Sequence, residues 1–336
     1  MELKLFEYQL ELKHTFTIAR ESITTQDSLI VELALNGHKG YGEATSNPYY
    51  NISVDGMKAE IEAITTDLEA YPFEHPEEFN QLLDSFNLSS FARCALDLAA
   101  YDLWGKLHQK PLYELWGASI ATIPTSNFTI GIDTLEIMKA KIKEQPWPIY
   151  KIKLGADKDV DLIKALREET NAVFRVDANC AWSAKQCIDY SYELKELGVE
   201  FIEQPLKADD WEGMKLVKKQ ALLPVIADES CIVETDVLQC APYFDGINIK
   251  LTKCGGITPA RRMITQAKSL GLKVMIGCMT ESTVGISAIA QLLPYLDYVD
   301  MDGALLLAKD IATGVHIDKN AQVTFPQLGG SGIELL

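Results

Sequence analysis

From about residue 121 onward a single pattern repeats: a short β-rich run, then a segment carrying apolar residues at helical spacing. The runs read TSNFTIGI, IYKIKLG, VFRVDANC, FIEQPL, PVIADES, GINIKL, KVMIGCM and YVDMDG, and successive runs start about 25 residues apart. Segments such as DVDLIKALREET and SAKQCIDYSYELKELG fill the gaps. Parallel strands need a long crossover, usually a helix, so this period dictates an α/β fold with a parallel sheet. Eight such units suggest a (β/α) barrel. An open doubly wound sheet is the alternative, but no GxGxxG follows the first strand, and LGGSG near residue 330 has no strand-to-helix setting.

Residues 1–120 read differently. Strands are expected at 2–10, 28–35 and 39–43, the last two joined by the hairpin signal NGHKG, with helices following, notably SSFARCALDLAAYDLWGKLHQ. That order predicts a separate α+β domain. The tail 310–336 is too long for a loop and is expected to pack back on this domain, leaving 121–309 as the barrel.

The chemistry starts from IYKIKLG. A strand places residues two apart on one face, so Lys151 and Lys153 put two ammonium groups on a face normally buried, which is costly unless something negative meets them. In a barrel, functional groups gather at the C-terminal strand ends. There the sequence places Asp177, Glu203 and Asp228, spaced 26 and 25 residues apart, one per repeat unit. Three carboxylates at equivalent places repel unless a cation sits among them, and an all-oxygen set suits Mg²⁺. Lys250 ends the sixth strand, across the barrel from Lys153. A metal-held substrate carboxylate would activate the neighbouring C–H, with Lys151 and the metal stabilising the enediolate. Lys151 and the cation should both depress the Lys153 pKa toward that of a working base. Lysines on opposite sides of one carbon permit racemisation or epimerisation.

At this point the sequence resembles a known family. KIK, RVDAN, IEQP, ADES and NIKLTKCGGI are similar to motifs of the enolase superfamily, muconate-lactonizing subgroup, and GYGEA and ALDLAAYDLWGK extend the resemblance to the N-terminal domain. The resemblance implies a modified (β/α)₇β TIM barrel with an α+β capping domain, Mg²⁺ held by Asp177, Glu203 and Asp228, and Lys153 with Lys250 as the acid/base pair. None of the five histidines (14, 38, 75, 108 and 316) falls at a strand end, which disfavours the His–Asp base of the mandelate racemase subgroup.

The subgroup includes cycloisomerases, o-succinylbenzoate synthases, N-acylamino acid racemases and dipeptide epimerases. Asp300 and Asp302 of VDMDG share a face of the last strand and call for a cation, which a substrate ammonium supplies. This DxD also resembles the motif by which dipeptide epimerases hold a free amino terminus. Arg20, in FTIARES, resembles the arginine that pairs with the acidic second residue in Ala-Glu epimerases. Thr129, Cys278 and Thr280 fall where the family contacts the dipeptide backbone, although related epimerases commonly have serine at the position of Cys278. The resemblance therefore implies conversion of L-Ala-L-Glu to L-Ala-D-Glu. An o-succinylbenzoate synthase or N-acylamino acid racemase is the alternative within the family, and a Schiff-base lyase using Lys250 the alternative outside it.

Composition bounds the partners. A net charge of −17 disfavours nucleic acid and anionic membrane. No apolar run is long enough to span a bilayer, and MELKLFEYQLELKH alternates like a strand rather than a signal core. The seven cysteines are scattered and form no CxxC pair. A cytoplasmic enzyme acting on a small molecule is expected, with a homo-oligomer left open.

Overall fold

In a computed structural model, which describes residues 1–18, 22–155 and 158–336, an N-terminal sheet and helix layer sits over an eight-stranded parallel barrel. The sheet comprises Glu2–Thr17, Ser22–Leu35 and His38–Thr45 in antiparallel order. Asn36 and Gly37, both at positive φ (52° and 78°), form the tight turn between the last two strands. The first two strands are longer than the sequence pattern predicts. Beyond the Glu11↔Thr25 pair the register slips through a bulge and pairing resumes at Phe16↔Ile23. The bulge breaks the alternation from which strand ends are read, and it carries the first strand out over the barrel mouth.

The helix Ser90–Leu107 is buried on nearly every side because it lies between the sheet and the barrel. It approaches the third strand at Gly40 and Gly42. A Cβ at Gly40 would lie 2.2 Å from Ala99 O, and one at Gly42 would lie 2.0 Å from Ala95 O. GYG is therefore a packing requirement of this interface. Two carboxylates of the N-terminal layer dock on barrel helices. Asp97 accepts from Thr258 N and Oγ1 at the start of Ile257–Ser269, and Glu43 accepts from Ser282 N and Oγ and Gly285 N at the start of Thr283–Ala290. The tail reaches the same layer: Ser331 N donates to Asp102, and Leu112 N to Gly330 O.

The barrel strands are Phe128–Ile130, Ile149–Lys153, Val173–Asp177, Val199–Glu203, Val225–Ala227, Gly246–Lys250, Lys273–Gly277 and Tyr298–Asp300, each pairing with the next in chain order. A Ser126↔Val299 bridge and a Met301 N to Ser126 Oγ hydrogen bond join the last strand to the first. Seven helical connections, the sixth built of two helices, join these eight strands among the described residues, the (β/α)₇β pattern. Outward residues such as Ile152, Val176, Ile202, Ile249 and Val274 pack under the helices. Inward, Phe201, Ile226 and Met275 form an apolar plug with Tyr298, and the residues one step further along these strands make the site. No helix of the described residues is long and apolar enough to cross a membrane.

Candidate active site

Register alone brings much of the site together. Lys153 pairs laterally with Asp177 and Asp177 with Glu203, while Gly277 lies between Lys250 and Asp300. Laterally paired residues point to the same side of a sheet, so these side chains all enter the barrel mouth. Asp228 follows one residue after its strand. Carboxylate oxygens of Asp177, Glu203 and Asp228 lie within 4.8 Å of one another, and Asp228 lines a pocket of about 110 Å³. Around it stand Lys151, Lys153 and Lys250, with Thr129, Cys278, Thr280, Asp300 and Asp302. Every described residue singled out from the sequence thus lies at one place. Arg20 lies outside the described residues.

The paired lysines both face carboxylates of the protein itself. Lys151, 1% exposed, places Nζ 3.2 Å from Asp177, 2.8 Å from Glu203 and 2.9 Å from Asp300. Lys153 reaches Asp177 at 2.7 Å, and Lys250 reaches Asp228 at 3.0 Å. The protein's own carboxylates neutralise these ammonium groups, as buried charges require. Lys250 is correspondingly held above its ordinary range: burial alone would lower it, but the attraction of Asp228 outweighs that cost.

The carboxylates differ among themselves. Burial opposes charge on all three. Lys153 and Lys151 nevertheless keep Asp177 below its usual range, and Lys250 and Lys253 keep Asp228 well below it. Glu203 is pushed up, by burial and then by Asp177, to about 7. Its Oε2 lies near Lys151 but takes no aligned hydrogen bond among the described residues. An all-oxygen trio with one under-satisfied oxygen fits a hard divalent cation such as Mg²⁺. A second cluster, Cys278 with Asp300 and Asp302, does not fit. Burial and then the two aspartates hold the Cys278 thiol well above its usual range, and Asp300 is already engaged by Lys151 and by Asn127 Nδ2 at 2.6 Å.

That second carboxylate pair is polarised. Burial opposes the charge on Asp300, but Lys151 holds it down, at about 2. Asp302 accepts from Thr129 N, yet burial and then the charge on Asp300 push it up to about 8. Asp302 is the carboxylate that a positive group entering the pocket would favour most.

Several contributors escape a reading of strand ends. Lys253 is fully buried and donates to Asp228 Oδ1 and O, both at 2.6 Å, and to Cys231 O. Its signal is its place three residues after Lys250, one helical turn on. Gln204 Oε1 accepts from Asp228 N and Ser230 N, so the Q of IEQP ties the fourth and fifth strand ends together. Asn248 Nδ2 donates to Glu203 Oε1. No spacing rule marks these two, because they act through hydrogen bonds made only in the closed barrel.

Comparison with known proteins agrees with this geometry. Residues 1–117 match the mandelate racemase / muconate lactonizing enzyme N-terminal domain, and residues 133–336 match the family described as enolase C-terminal domain-like. The chain belongs to this family. A relative from Maribacter sp., an L-Ala-D/L-amino acid epimerase, is 64% identical over 335 residues, covering 100% of this chain and 99% of its own. One of the same name from Flavobacterium johnsoniae is 58% identical, with 100% of both chains covered. The dipeptide epimerase of Enterococcus faecalis, crystallised with Mg and L-Leu-L-Tyr, superposes with a TM-score of 0.93 at 32% identity, covering 99% of this chain and 98% of its own. The protein is a dipeptide-epimerase-like isomerase of the enolase superfamily.

Proposed function

We propose that the protein is a Mg²⁺-dependent epimerase of dipeptides with a free amino terminus, inverting the α-carbon of the second residue. The observation that carries this reading is the placement of Lys153 and Lys250 four strands apart around one carboxylate cluster, with Asp302 to one side. Asp177, Glu203 and Asp228 hold the cation. When bound, it supplies Lewis-acid stabilisation of charge on the substrate carboxylate. Lys151 adds a fixed ammonium beside the same carboxylates. One lysine, as the free amine, takes the α-proton as the C–H bond breaks. The other, as ammonium, delivers its proton to the opposite face of the carbon. Lys250 loses the attraction that keeps it protonated once the charge of Asp228 is taken up by the cation.

Asp302, with Asp300 behind it, pairs with the substrate ammonium. An N-acyl substrate offers no such cation and would leave a buried carboxylate unpaired. The names of the two relatives at 64% and 58% identity favour alanine as the first residue. The pocket walls include Ile18, Ile23 and Met279, which suit an apolar second side chain, and an acidic one such as glutamate depends on Arg20. The test is a dipeptide library incubated in deuterated water with Mg²⁺ and read by mass. Alanine-first dipeptides should gain one mass unit, whereas exchange confined to N-succinyl amino acids would overturn the assignment. Borohydride trapping with substrate should leave Lys250 unmodified, as the Schiff-base alternative requires the opposite.

A further inference from the structure

Beside the active-site pocket lies a second one, of about 140 Å³, and the two share Phe16, Thr129 and Leu306 as walls. Its position follows from the fold. After the bulge, the first strand of the N-terminal sheet runs across the barrel mouth and is pinned on both sides. Ala308 N donates to Glu11 O, Leu12 bridges Leu307, and Ile132 N donates to Thr17 O. The second pocket lies beneath this crossing segment, between the exit of the first barrel strand and the turn Gly303–Leu306 that follows Asp302.

Two features say what it is for. First, it adjoins the amino-terminal end of the site: Thr129, whose N–H is held by Asp302, faces both pockets. A substrate ammonium at Asp302 puts the first residue's side chain two bonds further on, beside this wall. Second, its charged lining groups already have neighbours of their own. Lys13 donates to Leu305 O, Lys141 pairs with Asp133, and His14 lies 3.5 Å from Glu144. Phe16, Phe128, Leu305 and Leu306 are its large apolar walls. The volume is close to the roughly 150 Å³ in which an apolar cavity accepts benzene.

We propose that Phe16 and Leu306 set the size of the first residue's side chain, confining it to alanine, and that the pocket behind them receives a longer aliphatic side chain when either is cut back. This rests on the dipeptide reading above. The test compares kcat/KM for L-Ala-L-Leu and L-Leu-L-Leu in the full-length wild type, Phe16→Ala and Leu306→Ala, each with Mg²⁺ and each checked by thermal melting. Hydrophobic pockets discriminate by about tenfold or more for each methylene they admit or refuse. The Leu-Leu to Ala-Leu ratio should therefore rise at least about tenfold in one or both variants. Where a variant melts early, the milder Phe16→Leu and Leu306→Val should show a smaller shift of the same sign. A ratio unchanged in all folded variants, with wild type active on Ala-Leu, would overturn the inference and leave the dipeptide assignment standing. A wild type that exchanges no dipeptide would end both.

Discussion

Asp302→Asn is the perturbation whose consequences the geometry defines best. The change keeps the side chain's shape and an oxygen for Thr129 N, and removes only the charge. Asp300 cannot fully replace that charge, since its two oxygens already serve Asn127 and Lys151. A charge-assisted hydrogen bond is worth about 1.5–3 kcal/mol, and the site is buried, so the upper half of that range applies. The loss in kcat/KM for a dipeptide should be about 30- to 150-fold, because each 1.4 kcal/mol is tenfold. The effect should also depend on pH. The Asp302 carboxyl is pushed up to about 8, by burial and then by Asp300. It is therefore protonated in the free enzyme at lower pH, and pairing with an ammonium requires that proton to leave. Wild-type kcat/KM should gain from a rise in pH through that region, and Asp302→Asn should lack this component. Initial rates of α-proton exchange from L-Ala-L-Leu, followed by NMR from pH 6.5 to 9, measure both. Equal kcat/KM for wild type and variant at every pH would remove Asp302 from substrate binding.

Asp228→Asn removes a charge from the trio and a partner from buried Lys253. Mg²⁺ affinity by calorimetry should fall more than about 100-fold, beyond what loss of an outer-shell contact costs, and urea melts should show a destabilisation of about 3–5 kcal/mol. Unchanged affinity would remove Asp228 from the metal site. Arg20→Ala should cost Ala-Glu about tenfold to a hundredfold in kcat/KM, the worth of a charge-assisted pair, and leave Ala-Leu nearly untouched, whereas equal losses on both would show that Arg20 plays no part in specificity. Asp97, pushed up by burial from 3.8 to about 6, binds its proton more tightly in the fold than in the unfolded chain. Its contribution is present at acid pH and is lost as pH rises from about 4 to 6, so Asp97→Asn should gain on wild type over that span by up to about 3 kcal/mol, at 1.4 kcal/mol per unit. Urea melts at pH 4.5 and 7 check this, and a difference independent of pH would contradict it.

What the sequence revealed and what it hid divide along physical lines. The barrel strands and the convergence of Asp177, Glu203 and Asp228 were legible because register and repeat length are one-dimensional quantities. Lys151 was legible as a buried cation, but its partners were not. It pairs electrostatically with Glu203 and Asp300, which come from distant strands and become neighbours only on closure. Phe16 was invisible as a pocket wall because a bulge at residues 11–16 carries it away from the sheet whose alternation it would otherwise follow. Nothing in the sequence pattern marks Asp97 and Glu43, because their role at the starts of two barrel helices is a property of the layer contact.

The central claim is that two lysines serve opposite faces of one carbon, and stereospecific exchange tests it most directly. With Mg²⁺ in deuterated water, L-Ala-L-Leu and L-Ala-D-Leu are each presented to Lys153→Ala and Lys250→Ala, and loss of the second residue's α-proton signal is followed by NMR. Each variant should fail to epimerise either substrate, yet each should still exchange the α-proton of one epimer, and the retained epimer should differ between the two. Epimerisation at the wild-type rate by either variant, or exchange of the same epimer by both, would contradict the account.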